Sequence, residues 1–309
     1  MDSPLPASPA QEQLRRQLFA DKLIFDSGIP GVVGQSETFV DIRERVDALV
    51  TQLAAADRPE RMSFPPVMPV DLFRSTGYLR SFPHLAATLC SFVGTESDAA
   101  EQADRADRGD DWAQFQQQTA LAMVPAACHP VYPAVATRGP LPAHGVVIDA
   151  GPAFVFRHEP SLDPARLQSF RQREIVRIGP AEMVIEWRDT WRDRAVNALS
   201  DLGLDVVATE ANDPFFGRSG RLLAANQRAQ ALKFEVLGAI AAPDRTALAS
   251  FNYHLDHFCL HNDITLVSDE PAHTACLGFG LERIVLALLA THGSDPGRWP
   301  ETVRDRLWR

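Results

Sequence analysis

The sequence predicts an α+β fold, a mostly antiparallel sheet flanked by helices. Three observations carry that expectation. From about residue 63 onward, short strand-like runs (AFVFRHE, SFRQREIVRIG, LDVVAT, LKFEVLGAIA, ITLVSD) alternate with helical ones (AVNALSDLG, RLLAANQRAQ, LERIVLALLA). Several of the strands join through short loops, which favours antiparallel neighbours. The apolar residues between Leu281 and Leu289 are too dense for a one-sided surface stripe, so that helix should be largely buried.

Taken in order, residues 36–55 (SETFVDIRERVDALVTQLAA) place Phe39, Ile42, Val46, Leu49, Val50 and Leu53 at helical spacing, with Ser36 or Thr38 as the N-cap. The Pro-rich FPPVMP that follows reads as a linker, so residues 1–62 form a helical segment packed on a main domain spanning 63–309. Residues 153–179 read as an antiparallel hairpin with a polar turn. Side chains two apart share a strand face, which groups Arg157 with Glu159 on the first strand and Phe170, Gln172 and Glu174 on the second. One face thus offers a cation, a flat aromatic and carboxylates. The set suits a nucleotide, with Arg157 on phosphate, Phe170 on a base and Arg166 as a second cation. It equally suits a half-exposed hairpin whose Arg and Glu pair across strands.

In the last apolar helix, with Gly293 as its C-cap, Arg283 stands out. A buried Arg needs a partner: a carboxylate elsewhere, or, with Gly278 and Gly280 beside it, an anionic ligand. In DHFCLHND, His257, Cys259 and His261 alternate; a strand would place three zinc-type ligands on one face, and a run of partly buried polar residues is the other reading.

With 309 residues and 45% hydrophobic content, the chain can bury a full core as one large domain or a domain with a small appendage. The net charge of −10 disfavours a general nucleic-acid binder. A local basic stretch does exist: FFGRSGRLLAANQRAQALK carries Arg218, Arg221, Arg228 and Lys233 without a carboxylate. Four scattered cysteines argue against a disulfide scaffold and leave buried, metal-binding or redox roles open. A polar start and the lack of any long apolar run predict a soluble, cytoplasmic protein.

FRHE followed by Arg166-x-x-x-Phe170 resembles motif 2 of the class II aminoacyl-tRNA synthetases, and GFGLERIVLALL resembles their motif 3. STGYLRSFPHL, residues 75–85, resembles the helix-strand motif 1, with Pro83 as its proline. The resemblance implies a class II catalytic core, a homodimer built around motif 1, and ATP bound in bent form. It would put Arg157 on the α-phosphate, Glu159 on the adenine amino group, Phe170 against adenine and Arg283 on the γ-phosphate. Arg166, Leu167, Ala249 and Ser250 complete the implied ATP site, and Glu235 resembles the acidic residue that holds Mg²⁺ with the phosphates. Members that charge tRNA normally carry an added domain for it; none is expected here, and neither is a nucleic-acid partner.

Within that class, AACHPVYP, FRHEPSLDPARLQSFRQREIVRIG, FFGRSGRLLAANQRAQALKFE, SFNYHLDHF and HTACLGFGLER resemble the amino acid:[carrier protein] ligases, homologues of the catalytic core of atypical archaeal seryl-tRNA synthetases. Those enzymes hold zinc through Cys, Glu and Cys, which by position would be Cys128, Glu174 and Cys276. Two thiolates and a carboxylate leave a fourth position for the substrate's α-amino group. The resemblance implies activation of glycine or alanine as an adenylate, with Arg157 and Arg283 as the catalytic cations. Transfer to the phosphopantetheine thiol of an acyl-carrier-type protein would follow. Lys233 and Asn252 are the implied amino-acid pocket residues, and Arg218, Arg221 and Arg228 the docking cations. A stand-alone synthetase charging tRNA and a non-catalytic paralogue that binds amino acid or ATP are the alternative functions.

Overall fold

Local signals set the N-terminal elements. Ser8 and Gln11 form a capping box, with Pro9 at the first helical position, and open α1 (Pro9–Ala20). A hairpin of β1 (Ile24–Asp26) and β2 (Val33–Gln35) follows. The Ser36 hydroxyl accepts from the Phe39 amide and starts α2 (Glu37–Ala54), which buries Phe39, Ile42, Val46, Leu49 and Val50 on one face. These elements come from a computed structural model that describes residues 3–213, 227, 230–241 and 243–309.

After β3 (Glu60–Arg61) comes a three-stranded sheet of β4 (Val67–Pro69), β5 (Thr88–Phe92) and β6 (Gln116–Met123), in the order β4-β6-β5. Its connections hold α3 (Val70–Ser75), α4 (Tyr78–Ser81) and α5 (Glu96–Arg108), and α6 (Val131–Ala136) follows it. The long hairpin of β7 (Val146–Phe156) and β8 (Ser169–Gly179) leads to α7 (Ala181–Asp201). Then come β9 (Val206–Glu210), β10 (Lys233–Ala241) and β11 (Asp244–Tyr253). The chain continues through α8 (His257–Asn262), β12 (His273–Gly280), α9 (Leu281–His292) and α10 (Glu301–Trp308).

The main sheet has seven strands in the order β3-β7-β8-β12-β11-β10-β9. All its pairings are antiparallel except that of β3 with β7. The α+β architecture expected from the sequence is therefore present. One face of the sheet carries the large core, where Ile175, Phe251, Leu277 and Phe279 pack with Trp191 of α7 and the apolar faces of α2 and α9. Residues before 62 belong to that core through α2 and to the sheet through β3. The other face carries a smaller core of Ile148, Val176 and Ile178 with α6 and α8. Arg173, 1% exposed, ties α2 to the sheet: it donates to Asp149 at 2.7 Å and to the Thr51 hydroxyl at 3.1 Å, and pairs with Asp47 at 3.1 Å.

Three local expectations are corrected. Residues 75–85 form the short α4 and a 3₁₀ turn leading to β5 of the small sheet, not to a strand of the main sheet. ITLVSD is not a strand. Asp263 and Asp269 take positive φ of 54° and 59° at its flanks, and its backbone pairs only with Leu141 and Pro271 as isolated bridges. Finally, β7 ends at Phe156, so Arg157 and Glu159 lie just beyond the strand and not on it. No helix among the described residues is long and apolar enough to cross a membrane.

Candidate active site

Strand register assembles the site on the smaller-core face. Glu235 of β10 lies opposite Ser250 of β11, Ser250 opposite Gly278 of β12, and Gly278 opposite Glu174 of β8, giving one row across four strands. The next row runs Lys233, Asn252, Cys276. Side chains paired in this way share a face, so Asn252, distant in sequence from both, lies between Lys233 and Cys276. Gly278 has a steric reason: a Cβ there would meet Gln172 Nε2 at 2.7 Å. Gln172 uses that space to accept from the Ala127 amide at 3.2 Å, while Glu174 Oε2 accepts from the Cys128 amide at 2.8 Å. Two adjacent side chains of one face thereby pin the loop that carries Cys128.

Cys128, Glu174 and Cys276 are all buried, and their ligand atoms lie within 4.8 Å of one another. Burial pushes the Glu174 carboxyl above its ordinary range, against the thiols and the Cys128 amide that favour its charge. The contact with Cys128, then burial, pushes the Cys276 thiol well above its usual value. Three groups that resist ionising together are what a divalent cation would relieve, because the ion's charge reverses that balance. Asn252 Nδ2 donates to the Cys276 sulfur at 3.5 Å, and His254 Nε2 stands 3.6 Å from it, with Nδ1 against the Thr274 hydroxyl at 3.1 Å. Such outer contacts orient metal ligands. Around the cluster, the Tyr132 hydroxyl, Asn252 Oδ1 and His129 Nδ1 are buried with no hydrogen-bond partner among the described residues. Such atoms can accept or donate to a bound group or to water. The donor set and its surroundings fit zinc, with a fourth position open.

The nucleotide end lies along the same hairpin. Leu167, Phe170, Gly280, Glu282 and Arg283 line a small pocket. Arg283 donates from Nε to Ala165 O at 2.9 Å and from Nη1 to Ala247 O at 3.0 Å; among the described residues no carboxylate is in ion-pair contact with it. Of the two partners the sequence left open, the structural ion pair is thus absent there. Burial, then the neighbouring Arg157 and Arg166, lowers its pKa to about 10, so an anion arriving between these cations is stabilised by all of them. The Arg157 guanidinium lies 5.5 Å from the centre of the Phe170 ring and donates from Nε to Pro125 O at 3.1 Å. Glu159 pairs with Arg166 at 3.1 Å in the loop.

Other predicted residues fall as follows. Glu235 and Ser250 lie on the site face, whereas the Ala249 side chain is in the large core on the opposite face. Lys233 is buried and pairs with Glu235 at 3.2 Å and with Asp213; burial opposes its charge, but the two carboxylates hold the ammonium above its ordinary range. Arg218, Arg221 and Arg228 lie outside the described residues. The rival set His257, Cys259 and His261 is not assembled: α8 is a helix, which turns Cys259 into the small core while the rings of His257 and His261 lie together, tilted, with centroids 4.4 Å apart. Sequence reasoning missed Asp213, His254 and Tyr132. The stretches SFNYHLDHF and AACHPVYP contained His254 and Tyr132, but only the tertiary structure shows that they reach the cysteine cluster.

The sheet, hairpin and cation arrangement define a class II aminoacyl-tRNA synthetase catalytic fold. The M. kandleri seryl-tRNA synthetase, in its complex with A. aeolicus tRNASec, superposes with a TM-score of 0.81 at 19% identity, over 99% of this chain and 61% of that one. At the level of sequence, the chain is 43% identical to amino acid–[acyl-carrier-protein] ligase 2 of Bradyrhizobium diazoefficiens, over 99% of its own length and 89% of the relative's. It is also 43% identical to ligase 1 of the same organism, over 93% and 88% respectively. The chain belongs to the amino acid–[acyl-carrier-protein] ligase family. No family model matches it.

Proposed function

We propose that this chain activates a small amino acid, glycine or alanine, with ATP and passes the aminoacyl group to the phosphopantetheine thiol of an acyl-carrier-type protein. The observation that carries this reading is the assembled Cys128, Glu174 and Cys276 cluster, whose Glu174 shares its strand face with Phe170, the ring that lies beside Arg157 and lines the slot with Arg283. Zinc held by those three residues supplies a Lewis-acid anchor for an α-amino group, which selects amino acids over plain carboxylic acids. Tyr132 and Phe258, stacked at 4.2 Å, close the space behind the cluster and support a small side chain.

In the first step the amino-acid carboxylate attacks the α-phosphorus of ATP, and the bond to pyrophosphate breaks. Little acid-base chemistry is required. Arg157 on the α-phosphate and Arg283 on the γ-phosphate align and neutralise the reacting groups, Phe170 and Glu159 hold adenine, and Arg166, Leu167, Ser250 and the backbone alone of Ala249 complete the nucleotide contacts. Glu235 would hold Mg²⁺ with the phosphates. In the second step the carrier thiolate attacks the activated carbonyl and AMP leaves. Lys233 and Asn252 line the amino-acid pocket, and Arg218, Arg221 and Arg228 receive the acidic carrier. The working unit is a cytoplasmic homodimer.

The test incubates the enzyme with ATP, glycine or alanine, and carrier protein with or without phosphopantetheine. A hydroxylamine-labile aminoacyl adduct on the modified carrier alone supports the proposal; acylation of bulk tRNA instead of the carrier overturns it. Charge reversal at Arg221 or Arg228 should weaken transfer and leave adenylate formation intact, whereas equal loss of both steps removes the docking role.

A further inference from the structure

The N-terminal segment holds the loop that carries the nucleotide cations, and one buried carboxylate sits where the two meet. Asp163, 7% exposed, lies in the turn between β7 and β8. Its Oδ1 accepts from the Ala165 amide at 2.9 Å, and its Oδ2 accepts from Nε2 of Gln11, in the first turns of α1, at 2.9 Å and pairs with Nε of Arg166 at 3.7 Å. Its own amide donates to the Ser161 hydroxyl at 3.1 Å. The carbonyl of Ala165, the residue whose amide Asp163 fixes, is the group that receives Nε of Arg283. The chain of contacts therefore runs from Gln11 through Asp163 and Ala165 to the guanidinium at the end of the nucleotide slot.

More backbone contacts tie the same two segments together. Leu5 donates to Pro160 O at 2.8 Å and accepts from Leu162 at 3.0 Å, and the Gln168 amide donates to Gly31 O at 2.7 Å. The Gln168 side chain adds a bond to Pro30 O at 2.8 Å. Apolar packing joins the two segments as well, since Ala165 is buried in the same core as Leu18, Phe39 and Leu286. The polar contacts add direction to that packing. Asp163 is the buried carboxylate among them and the one whose side chain is bonded to the Ala165 amide.

We propose that Asp163 is a positioning residue for Arg283, with Gln11 as its outer support, so that the N-terminal segment presets the ATP site. The inference rests on the function proposed above. Arg283 commits Nε and Nη1 to carbonyls, and among the described residues this leaves Nη2 for a ligand. If Ala165 O moves, the guanidinium loses one of its two supports, and its aim with it.

The experiment measures ATP binding by calorimetry and amino-acid-dependent pyrophosphate exchange for the full-length wild type, Asp163→Ala, Asp163→Asn and Gln11→Ala. Asp163→Ala should weaken ATP binding and raise the KM for ATP about tenfold or more, with the KM for the amino acid unchanged. Asp163→Asn keeps an acceptor for the Ala165 amide and should recover most of the loss; Gln11→Ala should show a smaller increase in the same constant. Equal defects in Asp163→Ala and Asp163→Asn would assign the effect to the carboxylate charge beside Arg166, and a defect in kcat and both KM values together would assign Asp163 to general stability; either overturns the proposal. If Asp163→Ala does not fold, the conservative variant and Gln11→Ala decide alone: an unchanged KM for ATP in both overturns it. A wild type that binds no ATP overturns the functional reading and this inference with it, whereas a wild type that binds ATP beside an unaffected Asp163→Ala overturns this inference only.

Discussion

Arg283 was conspicuous as a cation in an apolar helix, and the structure gives it two carbonyls in place of a carboxylate among the described residues. A charge-assisted hydrogen bond is worth about 1.5–3 kcal/mol, so Arg283→Ala should lower kcat/KM for ATP by about 10- to 100-fold. A defect confined to the amino-acid KM would contradict the assignment. The cysteines give a second prediction at this scale. Cys90 is exposed while Cys128, Cys259 and Cys276 are buried, and burial pushes the Cys259 thiol up to about 12. A thiol reagent should therefore modify about one thiol rapidly in the native protein and all of them after denaturation, because the thiolate is the reactive form. The Cys128, Glu174 and Cys276 grouping could not be derived from residue spacing, since the three are far apart in sequence and meet only through register and a loop pinned by Glu174. The resemblance of the flanking stretches supplied it.

At the scale of elements, patterns that recur over several turns or strands were legible and short ones were not. The spacing in α2 and its Ser36 cap appear as expected, and the β7–β8 hairpin places Gln172 and Glu174 on one face as the period of two requires. His257, Cys259 and His261 illustrate the limit: three alternating residues fit a strand or one turn of helix equally, and Asp263 at positive φ ends the helix before a longer period could show. The hold between α2 and the sheet was also not legible, because Asp47, Asp149 and Arg173 come from three separate elements. Removing one partner of a buried pair leaves an uncompensated charge, so Asp149→Ala should destabilise the protein by about 3–5 kcal/mol in urea unfolding. A loss below about 1 kcal/mol, typical of exposed pairs, would show that Asp47 and Thr51 suffice for Arg173.

Across the whole molecule, the sheet separates two tasks. One face buries the large core with α2, α7 and α9, and the other carries the metal-type cluster at one end of a row, while the Arg283 slot lies between α9 and the turn of the β7–β8 hairpin. That division explains why the fold class could be read from periodicity and loop length, while the site needed the tertiary register. It also links the two halves of the account: the purified protein should contain about one zinc per chain, and Cys276→Ser should lose both metal and amino-acid activation. Retained zinc in that variant would place the metal elsewhere.

The central claim is that the cluster and the arginine slot together activate an amino acid. Its most direct test is amino-acid-dependent exchange of pyrophosphate into ATP by the zinc-containing enzyme, run over the common amino acids and their des-amino analogues. The account predicts exchange with glycine or alanine, little with larger side chains, and none with acids lacking the α-amino group. Absence of exchange with every amino acid, or equal exchange with the des-amino acids, would contradict it.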